Sequence, residues 1–516
     1  MKKVVISVLV LTNSIFMMAQ TEFDAFKMVQ TDINGSARYM SMGGAFGALG
    51  GDPSAIKDNP AGLGIYRKSE ITGTANMLMQ NSSGTWNGVS ASSDLYNVGL
   101  NNLSLVIAAP TWRSDNGTSG LLSSNFSFAY NRLKDFNRSL YLNSGNSASS
   151  LTDYMGYFTG NLTSADLKYV PNSYDPFNNT NVPWISIMGY GGGLMNETVT
   201  NGVSSWNSFL GNTETVKPSY KLYEKGYQDE YSFGWAGNFS NIVYLGATLN
   251  LQTINYAAFS EYNENFGAGG GLNLRDSIYS NGTGVNLNIG AIVCPTDYLR
   301  VGFAFHTPTV YSMNDNYYAK LSFDNGTNTG YVGTPGGTSG YQLQSPLMLN
   351  ASLAYIVGQK GLISAEYDYI NYPGTRFRDQ NGDAQNFLDE NQGMSSVMNT
   401  GNIFKLGGEY RLTDNFSLRA GYAYANNGNL STAKKWMRVN TVRTDPQYLI
   451  NNNTNYISAG IGYHETNWSL DFAYVNKILN DTFYPYKSDG ISVPLVNPAN
   501  VSTTNNNLVL TLAFRF

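Results

Sequence analysis

The chain has 516 residues, of which only 13% are charged, and a formal net charge of −5. That charge fraction is well under the ~25% of a soluble domain. With 37 Tyr, 54 Gly and a mean hydropathy of −0.26 it argues against a string of soluble domains and gives no sign of a nucleic-acid partner. A single cysteine, Cys294, excludes an internal disulfide. The first element is Met1-Lys2-Lys3, an apolar stretch from Val4 to Met18, then Ala19 and the polar Gln20-Thr21. This reads as a cleaved leader, 1–19, with Ala19 the last residue removed. The stretch is shorter than the ~20 residues a membrane-spanning helix needs. Cys294 is too far away to carry a lipid at the cleavage point.

Residues 20–64 form the second element and do not alternate like a strand. Gly35 to Ala55 is rich in small residues, including Gly43, Gly44, Gly47, Gly50, Gly51 and then Asp52. It runs into Asn59-Pro60-Ala61-Gly62, a turn signal. A dinucleotide loop is ruled out, because no Gly-x-Gly-x-x-Gly spacing and no βαβ pattern occur.

From residue 65 onward the chain reads as strands with a period of two. Phe404, Leu406 and Tyr410 alternate with Lys405, Glu409 and Arg411. Tyr367 and Tyr369 alternate with Glu366 and Asp368, Phe416 and Leu418 with Arg419, and Trp468 and Phe472 with Asp471. Lys or Arg facing lipid at mid-bilayer costs roughly 2–4 kcal/mol, so the charged faces must point inward. The segments are 69–80, 101–109, 123–134, 230–239, 242–256, 284–294, 298–311, 343–357, 361–372, 402–412, 415–424, 455–464, 467–477 and 506–516, fourteen in all. Short connections alternate with connections of about 20 to 95 residues, as in outer-membrane barrels with short periplasmic turns and long outer loops. The expected architecture is an all-β, 14-stranded antiparallel transmembrane barrel, crossing a bacterial outer membrane many times, with 20–64 as a hatch in its lumen. The last strand ends in Phe514 and Phe516, a terminal aromatic pattern like the signal presented to barrel-assembly machinery.

Three local features are candidates for function. In 123–134, Phe126, Phe128 and Tyr130 share a face but Leu133 has the opposite parity, so a bulge over Tyr130, Asn131, Arg132 and Leu133 is a possible wall opening; otherwise Arg132 sits at a solvated rim. The longest outer connection, 135–229, holds Leu151, Met155, Phe158 and Leu162 at helical spacing behind a Ser150–Asp153 capping box, with Trp184 further on. These residues form either a lid packed on its own core, a hydrophobic collecting groove, or a surface for a partner protein. Lys405 and Arg411 are possible contacts for an anionic head group; most lumenal charges read as structural ladders. His306 reads as lumenal and His464 as periplasmic, so they share no metal or haem. No Gly-x-Ser-x-Gly occurs. The reading is no enzyme, no cofactor and no metal.

The run from Gly35 through Asp52, Ala55 and Asn59-Pro60-Ala61-Gly62-Leu63 resembles the hatch of the FadL family, channels for long-chain fatty acids and aromatic hydrocarbons. The strand count, the plug-first order and Phe516 extend the resemblance over the mature chain. It implies a monomeric barrel in outer-membrane lipid that takes up a hydrophobic small molecule and releases it sideways through a wall gap near the third strand. The other function class is a non-transporting FadL-like barrel, a partner subunit of a secretion or assembly complex.

Overall fold

The computed structural model describes residues 20–111, 119–211, 213–435, 437–491 and 493–516. The expected leader and most of the turn at 110–122 lie outside these residues. Strand segments join in one closed antiparallel sheet. Its wall strands are β1 (Glu70–Trp86), β2 (Val89–Ile107), β3 (Leu121–Asp135), β4 (Val216–Phe239), β5 (Val243–Phe266), β6 (Gly271–Val293) and β7 (Leu299–His306). They continue as β8 (Met348–Val357), β9 (Gly361–Ile370), β10 (Gly401–Arg411), β11 (Phe416–Asn426), β12 (Tyr448–His464), β13 (Trp468–Tyr484) and β14 (Ala499–Arg515). Val310–Asp324 and Gly337–Gln344 carry β7 and β8 outward, and Arg138–Asn143, Thr329–Gly333 and Arg376–Arg378 are short additions. β1 pairs with β14 from Glu70 opposite Arg515 to Thr85 opposite Asn500, which closes the barrel. Closure satisfies the backbone in lipid without a seam. Each of the fourteen segments expected from the alternation falls on one wall strand.

The two faces divide as the alternation requires. Phe404, Leu406, Tyr410, Leu418, Phe472 and Leu512 lie on the exposed outer face. Lys405, Glu366, Asp368, Arg419 and Asp471 are buried inside.

The outer connections differ from expectation. Instead of a connection of about 20 residues, β1 and β2 run on to a turn at Asn87-Gly88, with φ of 46° and 79°. Asn-Gly suits this mirror-image hairpin turn. At about 3.3 Å per residue, the 17 residues of β1 span roughly 55 Å, twice the ~25 Å apolar band. Above that band the outer face meets water instead of lipid while the inner face stays covered, with Ser82 and Trp86 fully buried, so the apolar alternation that marks a strand disappears.

The expected long connection 135–229 contracts to 136–215, because β4 already starts at Val216. The helix Leu151–Thr159 begins at the Ser150–Asp153 capping box. Leu151 and Met155 are fully buried, Trp184 is 2% exposed, and Phe158 and Leu162 pack on the same core. The structure corrects the collecting-groove reading for these residues: Leu151, Met155 and Trp184 are buried in the core of a cap, with Phe158 and Leu162 packed on it, instead of lining an open groove.

Candidate functional site

Residues 20–64, the expected hatch, pack inside the barrel against its wall strands. Asp52 accepts from Ser54 N at 2.9 Å and starts a 3₁₀ turn with Pro53 in its first position; Asn59 accepts from Ala61 N at 3.1 Å and starts another with Pro60. Each is an Asx cap followed by proline, which needs no donor there. Between the turns Gly50 meets Gly62: a Cβ on Gly50 would lie 2.7 Å from Gly62 Cα. Gly43, Gly44, Gly50 and Gly51 all have positive φ. Gly47 donates to Glu366 Oε2 at 2.6 Å. Contact excludes bulk at four of the five singled-out glycines, Gly43, Gly44, Gly47 and Gly50, and positive φ adds to it at three of them, all but Gly47. Gly51 has open space and only its φ of +67° against substitution.

The wall is shaped to receive this segment, a feature the sequence reading missed. A Cβ on Gly246 would fall 2.5 Å from Pro60 C, one on Gly302 2.6 Å from Gly47 O, and one on Gly421 2.7 Å from Met42 Cα. Wall glycines thus let hatch backbone lie directly on strand backbone. Charges complete the seating. Arg38 grips Glu409 through two bonds of 2.9 and 3.2 Å. Lys405 pairs with Glu366 at 2.6 Å and Asp368 at 2.8 Å, and reaches Asp58 at 4.0 Å. Burial pushes the Asp58 carboxyl up, but Lys57 and Lys405 outweigh it and hold it below its ordinary value. A depressed carboxylate stabilises the seated hatch above its ordinary pKa of about 4, and that contribution is lost as pH falls through the lowered value.

Lys405 is therefore enclosed by carboxylates and has no free valence for a ligand. Arg411 lies at the exposed end of β10, where its backbone N–H bonds Lys360 O, far along the wall from Lys405. Lys405→Met leaves Glu366 and Asp368 buried without their cation. A destabilisation of about 3–5 kcal/mol is expected, read as a lower melting temperature in detergent whatever cargo is present.

The bulge expected near Tyr130–Leu133 is present. β3 pairs with β4 with a register shift between Arg132 and Lys134, so Leu133 is the extra residue. Arg132 keeps its outward parity but is not free. It pairs with Asp229 at 2.5 Å, donates to Tyr130 Oη at 3.0 Å and lies 4.7 Å over the Tyr227 ring. A second bulge lies opposite. β2 pairs with β1 with a shift that leaves Asn101 extra. β2 and β3 are laddered only from Asn102–Ile107 to Phe126–Asn131. Above these bulges the strands part. Asn102 Nδ2 donates to Asn131 Oδ1 at 2.7 Å at the foot of the gap, and Asn97 Nδ2 donates to Asp135 Oδ2 at 3.2 Å across it. Val98 and Leu100 are exposed on its outer side.

Inside the gap, above the hatch, lies a cavity of about 340 Å³ lined by Tyr256, Tyr311, Tyr448, Tyr456, the hatch helix Glu22–Val29 and many charged groups. Lys27 pairs with Glu224, Lys57 with Asp58, Arg138 with Asp481, Lys435 with Asp445, Arg443 with Asp24 and Lys477 with Asp32. Among the described lysines and arginines of this lining, Lys134 is the one without a carboxylate within 4.0 Å; its Nζ donates to Lys27 O at 2.8 Å. The bulge explains its position. Strict alternation would put Lys134 outward beside Arg132, but the extra Leu133 sets it opposite the buried Gln228, facing in.

His306 Nε2 bonds Asp58 O at 2.8 Å inside the barrel, while His464 lies against Arg419 and Asp471 near the periplasmic turn. Phe514 and Phe516 are exposed at the rim, with Phe516 N bonded to Ser69 O at 3.0 Å.

The fold matches solved outer-membrane channels. A Pseudomonas aeruginosa FadL homologue superposes with a TM-score of 0.52 at 13% identity, covering 94% of this chain and 99% of its own. The P. putida toluene transporter TodX gives 0.52 at 14% identity, with the same coverage. No curated protein matches in sequence. The family described as outer membrane protein transport protein (OMPP1/FadL/TodX) matches residues 215–516, more than half of the chain. The chain belongs to this OMPP1/FadL/TodX family of outer-membrane transport proteins.

Proposed function

We propose that the protein takes up hydrophobic molecules carrying an anionic group, by lateral diffusion past a seated hatch. Cargo enters the cavity above the hatch, rests its anion on Lys134, and leaves for the membrane between β2 and β3. The observation that carries this reading is the pair of facing bulges, at Asn101 and Leu133, which part the wall beside the cavity. Long-chain fatty acids fit this chemistry; a saturating ion-pair network elsewhere leaves Lys134 as the group to meet a carboxylate. Phe514 and Phe516 are the proposed signal to the assembly machinery.

Cells lacking the protein should take up labelled fatty acids several-fold more slowly at limiting concentration, and the deficit should vanish on re-expression. Equal uptake across chain lengths from medium to long, and for aromatic acids, would refute the proposal.

A further inference from the structure

Above the lipid, one sector of the outer wall is strongly basic. At about 3.3 Å per residue and a tilt of 35–45°, the ~25 Å apolar band takes about ten residues of a strand. On β4 it runs from Gly237, through the exposed Trp235, Phe233 and Tyr231, to Tyr227. Lys225 then stands at the upper border, with Lys221 about 10 Å and Lys217 about 20 Å above it. All three are exposed. Lys221 begins a rung that crosses four strands. It lies opposite Glu261 of β5, Glu261 lies opposite Arg275 of β6, and Arg275 opposite Lys320 of the strand Val310–Asp324. Arg275 pairs with Glu261 at 3.1 Å. Among the described residues, Lys217, Lys221, Lys225 and Lys320 have no carboxylate within 4.0 Å. Like charges set directly opposite on a sheet are unfavourable, yet Arg275 and Lys320 hold such places. Lys225 lies 5.8 Å over the Phe259 ring and Lys320 4.1 Å over that of Tyr331, which keeps both ammonium groups at the surface. Five cations thus meet one acid on this face, in a chain whose net charge is −5. Glu214 and Asp324 lie higher, at the loop tips, where they accept Ala268 N and Gly326 N. At the height of the basic rung, β1 and β14 present Asn81, Ser83, Thr85, Asn500, Ser502 and Thr504 instead.

We propose that this face binds the acidic sugars of the outer leaflet's glycolipid, and so holds a lipopolysaccharide molecule against β4, β5 and β6. An outward wall face at this level meets the headgroups of the surrounding lipid, and a cationic one selects anionic headgroups. The headgroup layer of a glycerophospholipid is only about 5–8 Å deep. It reaches Lys225 and falls short of Lys221, Arg275, Lys320 and Lys217. An occupant with anions at that height carries them, as phosphate or carboxylate, on a saccharide above its acyl chains. One such anion between Arg275 and Lys320 turns their repulsion into two charge-assisted contacts. The wall gap lies on the other side of β3, between it and β2, so the bound glycolipid leaves the proposed exit open.

The test uses the full-length protein, delipidated in a non-ionic detergent, and native mass spectrometry. The probe is a lipopolysaccharide trimmed to lipid A and its acidic inner sugars. Saturable binding is expected at low salt, weakening as salt is raised. Lys217→Gln, Lys221→Gln and Lys320→Gln together spare the Arg275–Glu261 pair, and should weaken binding about tenfold or more. Arginine at the same three positions should bind like wild type. On the wild-type protein, bare lipid A and phosphatidylglycerol should each bind about tenfold more weakly than the probe. Absence of saturable binding overturns the proposal. So does equal binding of lipid A or phosphatidylglycerol, or binding unchanged in the triple glutamine variant.

Discussion

Gly421→Leu should unseat the hatch and turn a closed barrel into a conducting one. The side chain would start in the space already held by Met42 and Gly43: a Cβ at 421 lies 2.7 Å from Met42 Cα, and one on Gly43 would lie 3.0 Å from Tyr422 N. Overpacking a core usually costs about 1–3 kcal/mol because neighbouring side chains yield. Here the neighbour is backbone, fixed by Arg38–Glu409 on one side and by close packing of Met42 on Gly407 on another, where an added Cβ would fall 2.8 Å from Met42 Cβ. Either the hatch or the wall must move. The wall is tied to both adjacent strands along its length, so the hatch gives way. Single-channel current in planar bilayers should rise about tenfold or more over wild type, while the barrel still resists unfolding in detergent. Gly51→Ala is the control. Its Cβ meets only Ile65 Cγ2 at 3.7 Å, so it carries left-handed strain of about 1–2 kcal/mol and should leave the barrel closed. Conductance at wild-type level in Gly421→Leu would place the seal elsewhere than at the glycine wall.

The second large effect is at Lys134. Its ammonium has a backbone carbonyl and no carboxylate, so removing it orphans no buried anion. Lys134→Met should melt like wild type, in contrast to Lys405→Met. A charged hydrogen bond contributes about 1.5–3 kcal/mol, or about ten- to a hundredfold in binding. Fatty-acid uptake at low concentration should fall by that order in Lys134→Met and persist in Lys134→Arg, while a neutral hydrocarbon of similar length should pass unchanged. Equal losses for acid and hydrocarbon would show that Lys134 shapes the passage and does not recognise the anion.

The barrel was legible because lipid and lumen impose opposite demands on alternate residues. Where one face is Phe404, Leu406, Tyr410 and the other Lys405, Glu409, the register follows from the sequence. Apolar alternation ends where the outer face meets water instead of lipid and turns polar, which hid the outer parts of β1, β2, β5 and β6. The Asn87-Gly88 pair was the available sign of the first hairpin. The hatch was legible through its Asx-Pro caps and glycines. Its complement in the wall was not, since Gly246, Gly302 and Gly421 sit singly on three strands and converge only in the closed barrel. The parity break at Leu133 pointed to the bulge, yet its consequence was missed. An extra residue shifts every later side chain to the other face, so Lys134, and not Lys405 or Arg411, is the cation that meets the cavity unpaired. The carboxylates around Lys405 come from strand β9 and from the hatch, a meeting that spacing along the chain does not reveal.

In the proposed route cargo leaves through the wall between β2 and β3. Asn97 and Asp135 touch across that gap at 3.2 Å. Replacing both by cysteine and bridging them with a short thiol-cleavable cross-linker in intact cells tests the claim most directly. Bridged protein should lose fatty-acid uptake and recover it on reduction, with each single cysteine variant unaffected. Uptake that continues at the wild-type rate with the bridge complete would contradict a lateral exit.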